Sequence, residues 1–166
     1  MSEQQRLERF NALDPAEAKR ALAACLDVAR WVDEVENGRP YAVRHVLLDT
    51  ADRAARRLTD TELESALAGH PRIGERARAG HNIEASAREQ AAVDDRDTEV
   101  AERLRAGNTA YEKRFDRVFL IRAAGRSAPE ILAELERRLR NDDEVERAEV
   151  VDNLRQIALL RLEQVV

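Results

Sequence analysis

Asp14-Pro15-Ala16-Glu17-Ala18-Lys19-Arg20-Ala21-Leu22-Ala23-Ala24-Cys25-Leu26-Asp27-Val28-Ala29 reads as a helix with its start marked. Asp14 can accept from a first-turn amide. Pro15 suits the first helical position, where an N–H would have no partner, and Glu17 can reach back to the cap amide. Leu22, Cys25, Leu26 and Ala29 then recur on one face, the spacing of a helix with one side in a core.

The same pattern extends in both directions along the chain. A short helix around Trp31 to Glu36 is expected to stop at Asn37-Gly38. From Pro40 to Leu58, Val43, Val46, Leu47, Ala51, Ala54 and Leu58 form a stripe. Thr59 and Glu62 make a capping box that opens a helix through Leu63 and Leu67 to Gly69. Ser86 and Glu89 make another, starting a long helix with Ala91, Ala92, Val100 and Leu104, expected to bend near Gly107-Asn108 and run on through Tyr111 to Phe115. Ser127 and Glu130 open a helix carrying Ile131, Leu132, Leu135 and Leu139 that ends near Asn141. The last helix spans about Asp143 to Val165, with Val150, Leu154, Ile157, Ala158 and Leu162 facing inward. Val118-Phe119-Leu120-Ile121 fits either buried extended chain or a buried helical turn, since periodicity does not separate the two in so short a run. The fold class expected is all-α: an irregular helical bundle, residues 1–166 forming one domain.

Composition removes several functions. Charged residues make up 37% of the 166, with a net charge of -5, and the two signs are interleaved. A nucleic-acid partner would call for a basic stripe, and none exists. Lys19 and Lys113 are the only lysines, both in strongly charged segments, which disfavours a Schiff-base amine. Cys25 is the single cysteine, so the pattern suits a reducing compartment, and a cytoplasmic location is expected. No apolar run approaches the roughly 20 residues of a membrane span. Met1 to Phe10 lacks the apolar stretch of a signal peptide, and Gln164-Val165-Val166 is no peroxisomal address.

Candidate chemistry narrows to a few side chains. No C-x-x-C, H-x-x-x-H, H-E-x-x-H or G-x-G-x-x-G occurs, so neither a metal nor a nucleotide is expected. Cys25 lies on an apolar stripe and reads as a small buried hydrophobe. His45 sits in a helical pattern and His81 in a Gly80-His81-Asn82 loop, both read as structural or exposed. His70 differs. It precedes Pro71, which biases it away from helix, in the turn His70-Pro71-Arg72-Ile73-Gly74 between helices. An imidazole held by such a turn can project into a cleft and exchange a proton near neutral pH. Ser86 and Glu89 have two readings, as a closed capping box or as an open helix start that offers amides to an anion. Arg161 reads as a surface ion-pair member or a carboxylate clamp.

Several segments together resemble the OHCU decarboxylase (2-oxo-4-hydroxy-4-carboxy-5-ureidoimidazoline decarboxylase) family. They are Phe10-Asn11-Ala12-Leu13, Gly38-Arg39-Pro40-Tyr41, Ala68-Gly69-His70-Pro71-Arg72-Ile73-Gly74-Glu75 and Ser86-Ala87-Arg88-Glu89-Gln90. Further on come Asn108 through Tyr111-Glu112 to Arg114-Phe115, Phe119-Leu120-Ile121, Gly125-Arg126-Ser127 with Glu130-Ile131-Leu132, and Arg161-Leu162. The His-Pro-Arg-Ile-Gly loop followed by Ser-x-x-Glu-Gln is the most specific part.

The resemblance implies an all-helical, often dimeric enzyme without metal or organic cofactor, acting on a small-molecule ureidoimidazoline carboxylate to give (S)-allantoin in urate breakdown. By the same resemblance His70 is the proton donor and Glu89 its catalytic companion. Pro71, Ser86, Ala87, Arg88, Gln90, Phe119, Leu120, Ile121, Arg122, Ala123 and Arg161 would bind substrate. Two positions depart from the family pattern. Relatives often have Gly where this chain has Asp116, and a small residue or Cys where it has Arg122. The competing readings are a non-catalytic helical module that binds a small ligand or protein, and a nucleic-acid-binding regulator, which the acidic balance opposes.

Overall fold

The computed structural model describes residues 1–73 and 98–166. The described residues form eight helices and no strand: α1 Glu3–Ala12, α2 Pro15–Ala23, α3 Ala29–Asn37, α4 Arg44–Ala55, α5 Asp60–Ala68, α6 Thr98–Phe115, α7 Ala128–Arg138 and α8 Asp143–Val165. The all-α expectation is met. His81 and the helix start expected at Ser86 lie outside the described residues.

The chain divides into two compact units, Met1–Ala66 with Leu154–Val166, and Leu67–Asn153. In the first, α2 packs on α3, α3 on α4 and α1 on α4. Leu7, Phe10, Leu22, Trp31, Val35, Leu47, Ala51, Leu154 and Leu162 are buried. Trp31 donates its indole N–H to the Ala51 carbonyl at 2.9 Å, so its large ring is buried without an orphaned donor. Arg30 bridges three helices: it forks onto Glu62 at 2.7 and 3.1 Å, reaches Glu34 at 3.0 Å, and donates to the Ala54 and Arg57 carbonyls at the end of α4.

Helix α1 is the element that periodicity left unassigned. Its signal is a capping box: Ser2 Oγ accepts from the Gln5 amide at 3.2 Å, and Gln5 Oε1 accepts from the Ser2 amide at 2.8 Å. The Asp14 cap forms from one side, with Glu17 N–H donating to Asp14 Oδ1 at 2.8 Å and no return bond from Glu17 among those of the cap. Helix α2 also ends at Ala23, so the stripe drawn through Cys25, Leu26 and Ala29 is not one helical face. Cys25 and Leu26 are buried in the turn that follows, and Ala29 is exposed. The stripe from Pro40 fails similarly at its start. Helix α4 begins only at Arg44, and Val43 and Val46 are exposed.

Two of the segments that carry the family resemblance turn out to hold each other. Arg39 Nη1 donates to the carbonyls of Phe10, Asn11 and Leu13, satisfying acceptors at the C-terminal end of α1. Asn11 exchanges two bonds with the Tyr41 backbone, at 2.8 and 2.9 Å. Gly38 ends α3 with an ordinary right-handed φ of -75°. Its missing side chain matters because a Cβ would stand 2.1 Å from the Tyr41 hydroxyl, which donates to the Val35 carbonyl at 2.7 Å.

In the second unit α6 packs on α7. Helix α6 runs through Gly107, and a Cβ there would lie 2.5 Å from Leu135 Cδ2, so the glycine permits close helix approach. Leu104, Tyr111, Phe119, Ile121, Ala123, Ala128, Ile131, Leu132 and Leu135 form the core. The Ser127–Glu130 capping box is present, with bonds of 2.9 and 3.3 Å.

Asp116, the first departure from the family pattern, follows α6 with φ 54°. Its amide still donates to the Glu112 carbonyl at 2.9 Å, so it occupies the left-handed position that glycine takes at low cost. Asp116→Gly is expected to stabilise the fold by about 1 kcal/mol, raising the melting temperature by about 2–4 °C. Thermal denaturation followed by circular dichroism checks it.

Candidate active site

Helix α5 ends at Ala68, and the turn beyond it is held at three points. The His70 amide donates to the Leu67 carbonyl at 3.0 Å, Arg72 forks onto both carboxylate oxygens of Glu112 on α6, and Ile73 packs against the second unit's core. The Arg72–Glu112 pair is largely solvated and adds little stability, about 0–1 kcal/mol, so its effect is to set the loop's position. His70 and Pro71 are half-buried. A rigid, proline-braced turn was expected here, and its described part, residues 69–73, is anchored as such.

The core that receives Ile73 contains Phe119, Ile121 and Ala123. Residues 118–123 are neither helix nor strand, which resolves the ambiguity of that run in favour of irregular buried chain. Alternate side chains, 119, 121 and 123, enter the core, the two-residue period of an extended backbone. Phe119 stands edge-on to Tyr111 with ring centres 5.1 Å apart. Phe119 and Ile121 therefore spend their side chains on packing, so that what this stretch can offer a ligand is chiefly backbone. Leu120 is buried outside that core.

The second departure, Arg122, is half-buried. Its amide donates to Asn153 Oδ1 at 2.9 Å, and its Nε is buried with no partner among the described residues.

Arg161 lies in the first unit, on α8. It is buried, so the surface reading fails. Its charge reaches the Cys25 thiol. Burial pushes that thiol up to about 12, and Arg161 offsets only part of the shift. Cys25 is thus protonated at neutral pH and unsuited to nucleophilic work, as its place on an apolar stripe suggested. The native protein is expected to show no thiol reactive toward DTNB within minutes, and one thiol per chain after denaturation. His45 is exposed. Ser86, Ala87, Arg88, Glu89 and Gln90 lie outside the described residues.

Sequence reasoning missed three residues that touch the 118–123 segment or support it. Arg138 is fully buried, donates to the Leu120 carbonyl at 2.8 Å and pairs with Glu146 at 2.6 Å. Asn153 holds Arg122. Burial holds the Glu146 carboxyl above the usual range, although Arg138 lies against it. A signal existed: Arg138 falls three residues after Leu135 and seven after Ile131, and Glu146 falls four before Val150. Both charges therefore sit on apolar helical stripes. A cavity of about 270 Å³ lies next to Glu146, lined also by Arg114, Phe115, Asp116, Arg117 and Asp143; it includes neither His70 nor residues 119–123.

The uric acid degradation bifunctional protein of Bacillus sp. (strain TB-90) is 22% identical over 161 residues, 96% of this chain and 32% of that protein, so the chain spans about a third of that relative's length. A crystal structure of OHCU decarboxylase in the presence of (S)-allantoin superposes with a TM-score of 0.70 at 22% identity, covering 86% of this chain and 94% of that one. A crystal structure of (S)-allantoin synthase gives a TM-score of 0.70 at 14% identity, covering 96% of this chain and 53% of that one. At these identities the structural likeness is one of fold. A sequence model of OHCU decarboxylase matches residues 11–163, which include the His70 loop, the 119–123 segment and Arg161, and the chain therefore belongs to the OHCU decarboxylase family.

Proposed function

We propose that the chain decarboxylates 2-oxo-4-hydroxy-4-carboxy-5-ureidoimidazoline to (S)-allantoin in urate breakdown, without a metal or organic cofactor. The observation that carries the proposal is the family match over residues 11–163, which takes in a His-Pro turn anchored beside a buried irregular segment.

The chemistry suits such a site. The substrate has a carboxylate and a hydroxyl on one ring carbon, next to a C–N unsaturation. When the bond to the carboxylate carbon breaks, carbon dioxide leaves and the bonding pair is delocalised into the ring. One proton must then reach one face of the ring. The substrate acts as its own electron sink, so the protein's work is to hold, orient and protonate. His70 delivers the proton in this proposal, and Glu89 orients the ring and the imidazole. Ser86, Ala87, Arg88 and Gln90 bind the ring's polar edges in the same proposal. Pro71, Leu120, Arg122 and the backbone of Phe119, Ile121 and Ala123 line the ring's surroundings, and Arg161 holds the anionic group. A cytoplasmic homodimer is part of the same proposal; light scattering should give twice the 18.8 kDa chain mass.

The test generates the substrate in place from urate with urate oxidase and hydroxyisourate hydrolase, then follows the optical activity of allantoin. The chain should speed product formation and bias it to one enantiomer. Racemic product at the spontaneous rate would overturn the assignment.

A further inference from the structure

Residues 118–123, buried except for the half-buried Val118 and Arg122, belong to no helix or sheet, so their backbone groups have no ladder to satisfy them. Two side chains take that place. Arg138 Nη1 donates to the Leu120 carbonyl at 2.8 Å, and Asn153 Oδ1 accepts from the Arg122 amide at 2.9 Å. Asn153 is itself held, its Nδ2 donating to the Glu149 carbonyl at 2.8 Å. In an extended chain, backbone groups of residues two apart share an edge, and those of the residue between point to the other. Fixing the edge of 120 and 122 leaves the N–H and C=O of Ile121 on the opposite one. Neither has a hydrogen-bond partner among the described residues.

Arg138 is held through Nε, Nη1 and its guanidinium face, while Nη2 is buried with no partner among the described residues. Its Nε donates to both carboxylate oxygens of Glu146, at 2.6 and 3.1 Å, and its guanidinium lies 4.7 Å from the Phe119 ring centre and 6.0 Å from that of Tyr111. Both partners of the pair are 1% exposed. Such a pair is a poor device for stability, because desolvating two charges offsets most of their attraction and apolar residues of similar volume commonly serve as well. What apolar residues would not do is hold a carbonyl in place.

We infer that Arg138 is a positioning residue for the reaction: locked by Glu146, it holds the Leu120 carbonyl so that the Ile121 N–H and C=O face the substrate's amide-like edge. The role presupposes the activity proposed above. Arg138 itself touches no substrate in this account. The amide pair it presents matches a cyclic or open ureide, which carries an adjacent N–H donor and C=O acceptor.

The deciding variant is the double substitution Arg138→Met with Glu146→Met, which removes both buried charges together and so leaves neither unpaired. It is expected to melt within a few degrees of the wild type and to lose about 10–100-fold in kcat/KM, since a displacement on the order of 1 Å can cost about 100-fold. Enantiomeric bias of the enzymatic product, corrected for the racemate formed by spontaneous decay, should fall with it, which loss of folded protein alone would not cause. Arg138→Lys is the second arm. It keeps a cation opposite Glu146, but one ammonium lacks the guanidinium fork that spans Glu146 and the Leu120 carbonyl, and it should show the same loss. Wild-type kcat/KM and wild-type bias in the folded double variant would overturn the inference. If that variant is not recovered folded, the same result in Arg138→Lys overturns it. Wild-type protein that fails to accelerate the reaction would instead sink the proposed activity, so the two failures are separable.

Discussion

His70→Ala lowers turnover by about 10²–10⁴-fold, the usual contribution of a positioned general acid or base, while the melting temperature stays within about 3 °C of the wild type. The two halves of that expectation have separate grounds. The large kinetic loss follows from the proton delivery proposed for the imidazole. The small thermal change follows from how the turn is held. Its attachments include the His70 backbone amide on Leu67, the Arg72 fork on Glu112 and the Ile73 contact with the core, and these three hold the turn without the His70 ring. His70 is also only half-buried, so truncation removes little packed surface. Initial rates from optical activity and a melting curve on the same preparation check both. Turnover equal to wild type in His70→Ala would remove this residue from the chemistry.

Leu135→Ala should destabilise the protein by about 2–5 kcal/mol, lowering the melting temperature by about 5–15 °C. Leu135 is fully buried at the centre of the second unit's core, and its Cδ2 fills the space over Gly107. Removing it leaves a cavity lined by side chains that the aromatic packing of Tyr111 on Phe115 and Phe119, with ring centres 4.7 and 5.1 Å apart, gives little freedom to collapse. The same core anchors Ile73 and residues 119–123. Activity measured well below the new melting point should therefore fall more than for an equally destabilising change in the first unit. A loss under 1 kcal/mol would show that the α6–α7 contact relaxes into the space.

Much of the fold was legible because helix signals are local. The Thr59–Glu62 and Ser127–Glu130 boxes form as read, and Asp143–Val165 matches its helix to the residue. The errors were local as well. Extending the α2 stripe past Ala23, and the α4 stripe back to Pro40, assumed one continuous helix wherever apolar residues kept a helical spacing. A turn that buries Cys25 and Leu26 produces the same spacing by other means. At Gly107 the sequence showed a residue that weakens a helix, and not that a neighbouring helix closes in on it.

The candidate site was legible only in part. His70 stood out because a proline follows it, a constraint written in adjacent residues. Arg161 stood open between a surface ion pair and a carboxylate clamp, and it is buried. Arg138 stood beside Arg137 in a charged stretch, set apart only by its place on the Ile131–Leu135 stripe. Yet Arg137 reaches out to Glu134 and Glu149, while Arg138 is enclosed under two aromatic rings.

The amino-acid order alone sufficed for the all-α class, for most helix starts and for the singular position of His70, because caps, periods and proline restrictions act within about four residues. It took the packed chain to show which charges are buried, that Arg39 closes α1, that Arg72 ties its loop to α6, and that Arg138 grips Leu120. Those bonds join residues 18 to 40 positions apart or belong to helices whose mutual placement sets them, and no local pattern encodes such a distance.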